Sequence, residues 1–418
     1  MRRAGAENLY YALELLLSMP TWVVVSVYLV NDLHLSPLQL VLMGTAMEAA
    51  VFLSEIPTGV VADTYSRRLS LIIGYLGMGT AWMLVGVFSA PWAIIALWAA
   101  WGLAYTFTSG ADRAWIADEV GPANVGRVFL KSARIGYVGS VAGLLGLVAL
   151  GTVSLRASVI AGGAITFLCG IVCIFVMPET GFRRRPRAER GSALAELRTT
   201  AASGARYAWA APVILLLVGV ELFMGMSSEA FDRLKEAHFL RDVGLPTVGQ
   251  LEPVVWFGGF YLVAMVFSFF ALGRILKRFE HGGQRMVSRS LFAFALVEMV
   301  AMLVFALTGS IGLAIAALLG VFLARDLAGP LYSIWLNEQI TDSSVRATVL
   351  SISGQANAVG QATGGPVLGV IGNVFGIPAA LATGALTIGP AVGLYARALR
   401  HGGGEPELDA LPTPAETY

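Results

Sequence analysis

The sequence predicts an all-α integral membrane protein, with twelve transmembrane helices in two pseudo-symmetric six-helix bundles. Three observations carry this reading. Apolar residues make up 56% of the chain and gather in long runs. Charged residues are only 13%, where soluble domains carry about 25%. The chain also repeats itself, in order, across its two halves.

The runs place spans at roughly 9–30, 38–62, 69–89, 92–116, 128–151, 157–177, 212–233, 251–273, 287–307, 311–336, 347–371 and 377–397, each about 20 to 26 residues and long enough to cross a hydrocarbon core about 30 Å thick. Backbone groups in lipid must bond within their own segment, so each span is expected as a helix. The alternation of a membrane β-barrel strand is lacking. An even number of spans puts both termini on one side. Of the 28 Lys and Arg, Arg156, Arg233, Lys235 and Arg241 then fall at the outer side, and Arg113, Arg134 and Arg325 lie within spans. The other 21 mark the side of the termini as cytoplasmic, here of a bacterial inner membrane. Met1-Arg2-Arg3 precedes no cleavage site of small residues, so the first span is read as uncleaved.

This divides the chain into an N-terminal bundle (1–178), a basic cytoplasmic linker (179–211), a C-terminal bundle (212–399) and a disordered tail (400–418). Span one carries Glu14, and span two Glu48 and Glu55. Span four carries Asp112 and Arg113 and ends in Trp115-Ile-Ala-Asp118. Span five is punctuated by Gly136, Gly139, Gly143 and Gly146, a pattern for close helix packing. In span six Cys169 and Cys173 share a face; with no other Cys they are expected as small buried side chains, neither bridge nor metal site. The linker holds Arg183, Arg184, Arg185, Arg187 and Arg190, suited to anionic headgroups. Its second part, Ala195-Glu-Leu-Arg198 leading to Trp209, is expected as an amphipathic interfacial helix. Span seven carries Glu221, with Glu229 and Asp232 near its outer end; span nine has Glu298, and span ten Arg325 and Asp326.

The repeat is specific. Leu13-Glu14 to Met19 matches Val220-Glu221 to Met226, Trp115 to Asp118 matches Trp335 to Glu338, and Gly139-x-x-x-Gly143 matches Gly360-x-x-x-Gly364, at separations of 207, 220 and 221. Two such halves imply a pseudo-two-fold axis with a substrate site between them. The loop after span eight, Gly273-Arg274-Ile-Leu-Lys277-Arg278, lacks the acid that the loop after span two has in Asp63.

That loop reads Gly59-Val-Val-Ala-Asp63-Thr-Tyr-Ser-Arg67-Arg68. It resembles motif A of the major facilitator superfamily, G-x-x-x-D-x-x-G-R-R/K, with Ser66 in place of the second glycine. The run from Glu48 through Glu55-Ile-Pro-Thr-Gly59, with Thr108 to Glu119 in span four, is similar to the twelve-span drug:proton antiporter branch of tetracycline and macrolide exporters. Span five departs from that branch in having no proline; the nearest such pattern, Gly360-x-x-x-Gly364-Gly365-Pro366, is in span eleven.

Ionisable groups inside a membrane mark proton paths, substrate contacts or structural bridges. Glu48 and Glu55, seven residues apart, share one helix face about 10.5 Å apart and are the expected proton-coupling pair. The bland alternative is that they bridge to Arg113 or Arg134. Glu14, Asp112, Arg113, Glu221, Arg325 and Asp326 are expected at the substrate cavity. Arg325 and Asp326 point about 100° apart, so only one can face it. Gly59, Asp63, Arg67, Arg68 and Asp118 are expected to form a conformational latch. The function expected is export of a small amphipathic molecule, cationic or zwitterionic, in exchange for protons by alternating access. Proton-coupled import of a nutrient or metabolite, or lipid flipping, are the alternatives. No phosphate loop, metal-ligand spacing or nucleophile elbow points to an enzyme or cofactor. The expected partners are the small-molecule substrate, protons and membrane lipid, not nucleic acid, and the chain is expected to be a monomer.

Overall fold

A computed structural model describes residues 2–182, 202, 205–279, 283–342 and 345–401. The Arg183–Arg190 run, the start of the interfacial helix expected after it (Ala195 to Arg198) and the tail beyond residue 401 lie outside the described residues, whereas the end of that helix at Trp209 is described. Among the described residues every regular element is helical. In chain order these are α1 (Arg2–Leu17), α2 (Thr21–Asn31), α3 (Pro37–Thr64), α4 (Arg67–Val87), α5 (Pro91–Thr106), α6 (Ala111–Val120), α7 (Pro122–Val153) and α8 (Leu155–Val176). A short helical segment, α9 (205–210), follows. Then come α10 (Pro212–His238), α11 (Pro253–Phe279), α12 (Gly283–Leu307), α13 (Ile311–Gln339), α14 (Arg346–Phe375), α15 (Ile377–Leu386) and α16 (Ile388–His401).

Among the described residues, eleven segments are long and apolar enough to cross a membrane. The expected span 347–371 lies in α14, which has 30 residues but is not among the eleven. Its polar side chains face protein: Ser353 bonds Tyr332, Gln355 donates to Glu55, and Asn357 donates to Glu221. A helix that spends its polar residues on neighbours has fewer apolar ones to show in its composition.

Three expected spans are broken into two helices each. Between α1 and α2 stands Pro20, which has no N–H to continue the first helix. Between α5 and α6 the chain passes through Gly110 at φ +73°, a left-handed conformation that side chains resist. Carbonyls released at a break in lipid need donors, and neighbouring helices supply them. Ser140 Oγ donates to the Ser18 carbonyl at 3.0 Å, Thr58 Oγ1 to Thr106 at 3.1 Å, and Ser70 Oγ to Phe107 at 2.7 Å. The third break, between α15 and α16, falls at Thr387.

The glycine repeat is a packing device. A methyl group on Gly139 of α7 would collide with the Leu15 carbonyl of α1, and one on Gly143 with Met19. In the second half a methyl on Gly360 of α14 would collide with the Leu222 carbonyl of α10, and one on Gly364 would crowd Met226. Matched glycines thus meet matched partners, and the backbones approach as small residues allow.

The two halves of the chain meet mainly at one end. There Gly365, Gly369 and Gly372 of α14 lie against Thr45, Val41, Leu38 and Pro37 of α3. Val148 of α7 covers Gly258 of α11, and Arg241 donates to the Leu35 carbonyl at 2.8 Å. Toward the α3–α4 loop the contact thins. Glu55 still accepts a bond from Gln355, but one turn further neither Gly59 nor Gly354 has a neighbour within 4 Å of where a Cβ would stand.

Candidate functional site

A cavity of about 670 Å³ is lined by α1, α2, α4, α5 and α6, with Met47, Thr166 and Arg233 added from α3, α8 and α10. Both helix breaks of the first half open onto it, through Ser18 and Met19 and through Thr108, Ser109 and Gly110. One wall is aromatic. Trp101 stacks on Tyr105 at 5.5 Å and 8°, and Trp82 meets Trp98 edge-on at 5.3 Å. The indole N–H groups of Trp98 and Trp101 are buried without a hydrogen-bond partner among the described residues. Such groups call for an acceptor that the protein itself does not supply.

Charge is set at the edge of this wall. Asp112 sits in the first turn of α6, where the helix dipole favours a carboxylate. Glu14 of α1 lies within electrostatic reach of Asp112 and Arg113, and accepts a bond from Ser18 Oγ at 3.4 Å. Arg233 comes from α10, the second half, and lies over the Trp98 ring at 4.8 Å. The cavity therefore combines flat ring surface, two carboxylates and two guanidiniums.

Three of the six residues expected at the cavity, Glu14, Asp112 and Arg113, line it; the other three are engaged elsewhere in the second half. Glu221 accepts from Asn357 at 2.7 Å. Arg325 is held by Asp232 at 2.8 Å and Glu298 at 2.6 Å, over the Phe231 ring. Asp326 accepts from Ser268 Oγ at 2.5 Å, on a different neighbouring helix. The two adjacent residues do point apart, but to structural partners. Glu48 and Glu55 do not bridge to Arg113 or Arg134 among the described residues; Glu55 bonds Gln355, and Glu48 lies within reach of Arg233.

The expected latch residues gather at the α3–α4 loop. Arg67 pairs with Asp118 at 2.9 Å and stands 4.0 Å from Asp63. Ser66, where the motif has glycine, caps α4 through the Leu69 N–H at 2.9 Å and donates to Glu179 at 2.7 Å. Arg68 binds Glu179 through its backbone N–H and the Ile174 carbonyl through its side chain. Asp63 itself is 70% exposed, and Gly59 has no close neighbour. Among the described residues, these ion pairs and hydrogen bonds of Ser66, Arg67 and Arg68 all go to the first half of the chain.

Sequence reasoning counted Arg233 among the outer-side charges and did not expect it at the cavity, which it lines. The available signal was its spacing: Glu229 and Arg233 stand four residues apart on one span, as facing helical neighbours.

Comparison with known proteins accords with this geometry. The model of the Major Facilitator Superfamily matches residues 9–325. An uncharacterized MFS-type transporter of Bacillus subtilis (strain 168), YxaM, is 22% identical over 86% of this chain and 86% of its own. Among solved structures, the nucleoside transporter NupG superposes with a TM-score of 0.72 at 12% identity, covering 96% of this chain and 99% of that one. A bacterial homologue of the human lysosomal transporter Spinster, inward-facing and occupied, gives 0.72 at 14% identity over 96% and 97%. A POT family transporter in complex with 5-aminolevulinic acid gives 0.71 at 12% over 94% and 96%. At these identities the likeness is one of fold.

Proposed function

Because the chain belongs to the Major Facilitator Superfamily, we propose that it is a secondary active transporter that exports a small amphipathic cation or zwitterion in exchange for protons. In this reading α14 is the twelfth span and two six-helix bundles rock about a central site. Both termini are cytoplasmic in a bacterial inner membrane, and the chain works as a monomer. The end closed by α3 and α14 is then the outer one, and the α3–α4 loop faces the cytoplasm.

The observation that carries the cargo class is the stacked Trp101–Tyr105 pair beside Glu14 and Asp112. Ring faces attract cations by about 0.5–2 kcal/mol each, and ionised carboxylates add a charge partner in a region shielded from water. A flat molecule with an amine fits this wall. Arg113 and Arg233 line the same cavity and support a second reading, uptake of a zwitterionic metabolite. The solved relatives include nucleoside and POT family transporters, which at 12% identity lend that reading their fold only.

The test is transport by the purified protein in liposomes under an imposed pH gradient, with a permanently cationic aromatic dye as the probe. Dye movement against its gradient, opposite to proton flow and lost in Glu14→Gln/Asp112→Asn, is expected. Binding only of anions, or movement of dye in the same direction as protons, would overturn the export reading.

A further inference from the structure

Arg233 lies where the two halves meet, and more acid than base surrounds it. Its Nε donates to Glu229 Oε1 at 3.3 Å. The Glu229 side chain is 0% exposed, and its other oxygen, Oε2, has no hydrogen-bond partner among the described residues. Glu48, from α3, lies within electrostatic reach of both Glu229 and Arg233. A methyl on Gly44 of α3 would strike the Glu229 carboxylate, and one on Gly365 of α14 would stand 3.2 Å from Glu229 Cγ. Glu229 is thus clasped between α10, α3 and α14, at the seam that must part if the closed end is to open.

The other charged groups around this site are already engaged. Asp232 pairs with Arg325, which also holds Glu298. Glu55 accepts from Gln355. Lys235 pairs with Glu236 at 3.2 Å. What remains is Glu48 and Glu229 against a single guanidinium. With both carboxylates ionised, the cluster would carry an unbalanced charge away from water, which burial penalises.

We propose that Glu48 and Glu229 share one proton over Arg233, and that this site binds the coupling ion at the seam between the halves. The proton belongs to the pair, not to either carboxyl alone. When the seam parts, α3 carries Glu48 away from Glu229 and water enters, so the proton passes between a carboxyl oxygen and a water molecule and both carboxylates are left ionised. Because the closed seam then holds the proton more tightly than the open one, protonation favours closure. As the coupling ion it rests on the proton-coupled reading above, yet it holds for import and export alike.

The test uses the full chain in lipid nanodiscs, without cargo. Infrared difference spectra between acidic and alkaline buffer would read the carbonyl stretch of protonated carboxylic acids. The expected result is one pH-dependent band lost in both Glu48→Gln and Glu229→Gln. A band that survives both, or is lost in only one, overturns the shared proton. Should Glu229→Gln fail to fold, Glu229→Asp should shift the band, and an unshifted band is equally fatal. Spin labels on Asp32→Cys and Phe375→Cys, at the closed end, would read the seam. Acid should shorten their distance in the parent chain and not in Glu48→Gln/Glu229→Gln; a response that persists in the double variant overturns the link to closure. A protein that passes both tests but moves nothing under a pH gradient leaves the proton site standing and refutes the transport reading instead.

Discussion

The two halves of this chain use the same helix packing to hold the same kinds of charge in opposite ways. In the first half, Glu14, Asp112 and Arg113 line open space beside two helix breaks. In the second half, Glu221, Arg325 and Asp326 are each bonded to a side chain of a neighbouring helix. Glu14 and Glu221 hold matched positions in the repeat, yet one faces a cavity and the other an asparagine. The difference teaches that the repeat preserves backbone contacts, not site chemistry. The glycines of α7 and α14 meet equivalent carbonyls, and around that conserved frame one half presents charge while the other neutralises it.

The largest test of this contrast is to remove one guanidinium from each half. Arg325→Met strands Asp232 and Glu298, with the Glu298 side chain only 2% exposed. Breaking a buried pair by removing one partner costs about 3–5 kcal/mol, so melting in detergent should fall sharply. Arg113→Met removes an exposed group, for which about 0.5 kcal/mol or less is typical. Equal losses in the two variants would erase the distinction between the halves.

Next in size are the packing glycines. Gly139→Val and Gly360→Val each drive a side chain into a facing carbonyl, and overpacking costs about 1–3 kcal/mol. The two losses should be alike, since the contacts are. Marked destabilisation in one half only, measured by melting, would show that the frame is not shared. These glycines were fully legible in the sequence, because a small residue every fourth position leaves a pattern. The motif loop was legible for the same reason. The breaks were less so: Pro20 stands in an apolar run and Gly110 in a short polar stretch, Thr108 to Arg113, inside a segment that reads as one span, and it takes Ser140, Thr58 and Ser70 from other helices to make a break tolerable. The polar bonds of Arg325 and the position of Arg233 were hidden, because the direction a side chain takes depends on which helices lie beside it. The span in α14 was legible despite its amides, which are spent on α3 and α10.

A smaller effect is expected at the cavity. Glu14→Gln or Asp112→Asn should weaken binding of a cationic aromatic dye about tenfold, the equivalent of about 1.4 kcal/mol, with melting little changed. Because only an ionised carboxylate pairs with a cation, dye affinity in the parent chain should rise with pH and the dependence should flatten in the double variant. The corresponding change in the second half, Glu221→Gln, should leave dye affinity where it was. Dye quenching of tryptophan fluorescence reads both. An equal loss with Glu221→Gln would place the site between the halves instead of chiefly in the first.

The smallest effect on stability is expected at Asp63. It is 70% exposed and 4.0 Å from Arg67, whose close partner is Asp118 at 2.9 Å. Exposed pairs contribute about 0–1 kcal/mol, so Asp63→Asn should melt as the parent does, whereas Asp118→Asn should not. The latch expected here would act through Asp63 in the other conformation. Along α3 and α14 the close contacts run antiparallel, from Pro37 beside Gly372 to Glu55 beside Gln355. Continued in that register, closure of the loop end would carry Gly59 and Asp63 onto the start of α14, at Arg346. There a carboxylate gains from the N-terminal amides and dipole of a helix, and Gly59 has the open space that such an approach needs. Asp63→Asn should therefore enrich the state open at the α3–α4 loop and slow transport while leaving stability alone. Labelling of a cysteine introduced at Gly354 reads that opening. Unchanged labelling together with unchanged transport would mean that the loop is knit to the first half for stability, and that the second half has no counterpart waiting for it.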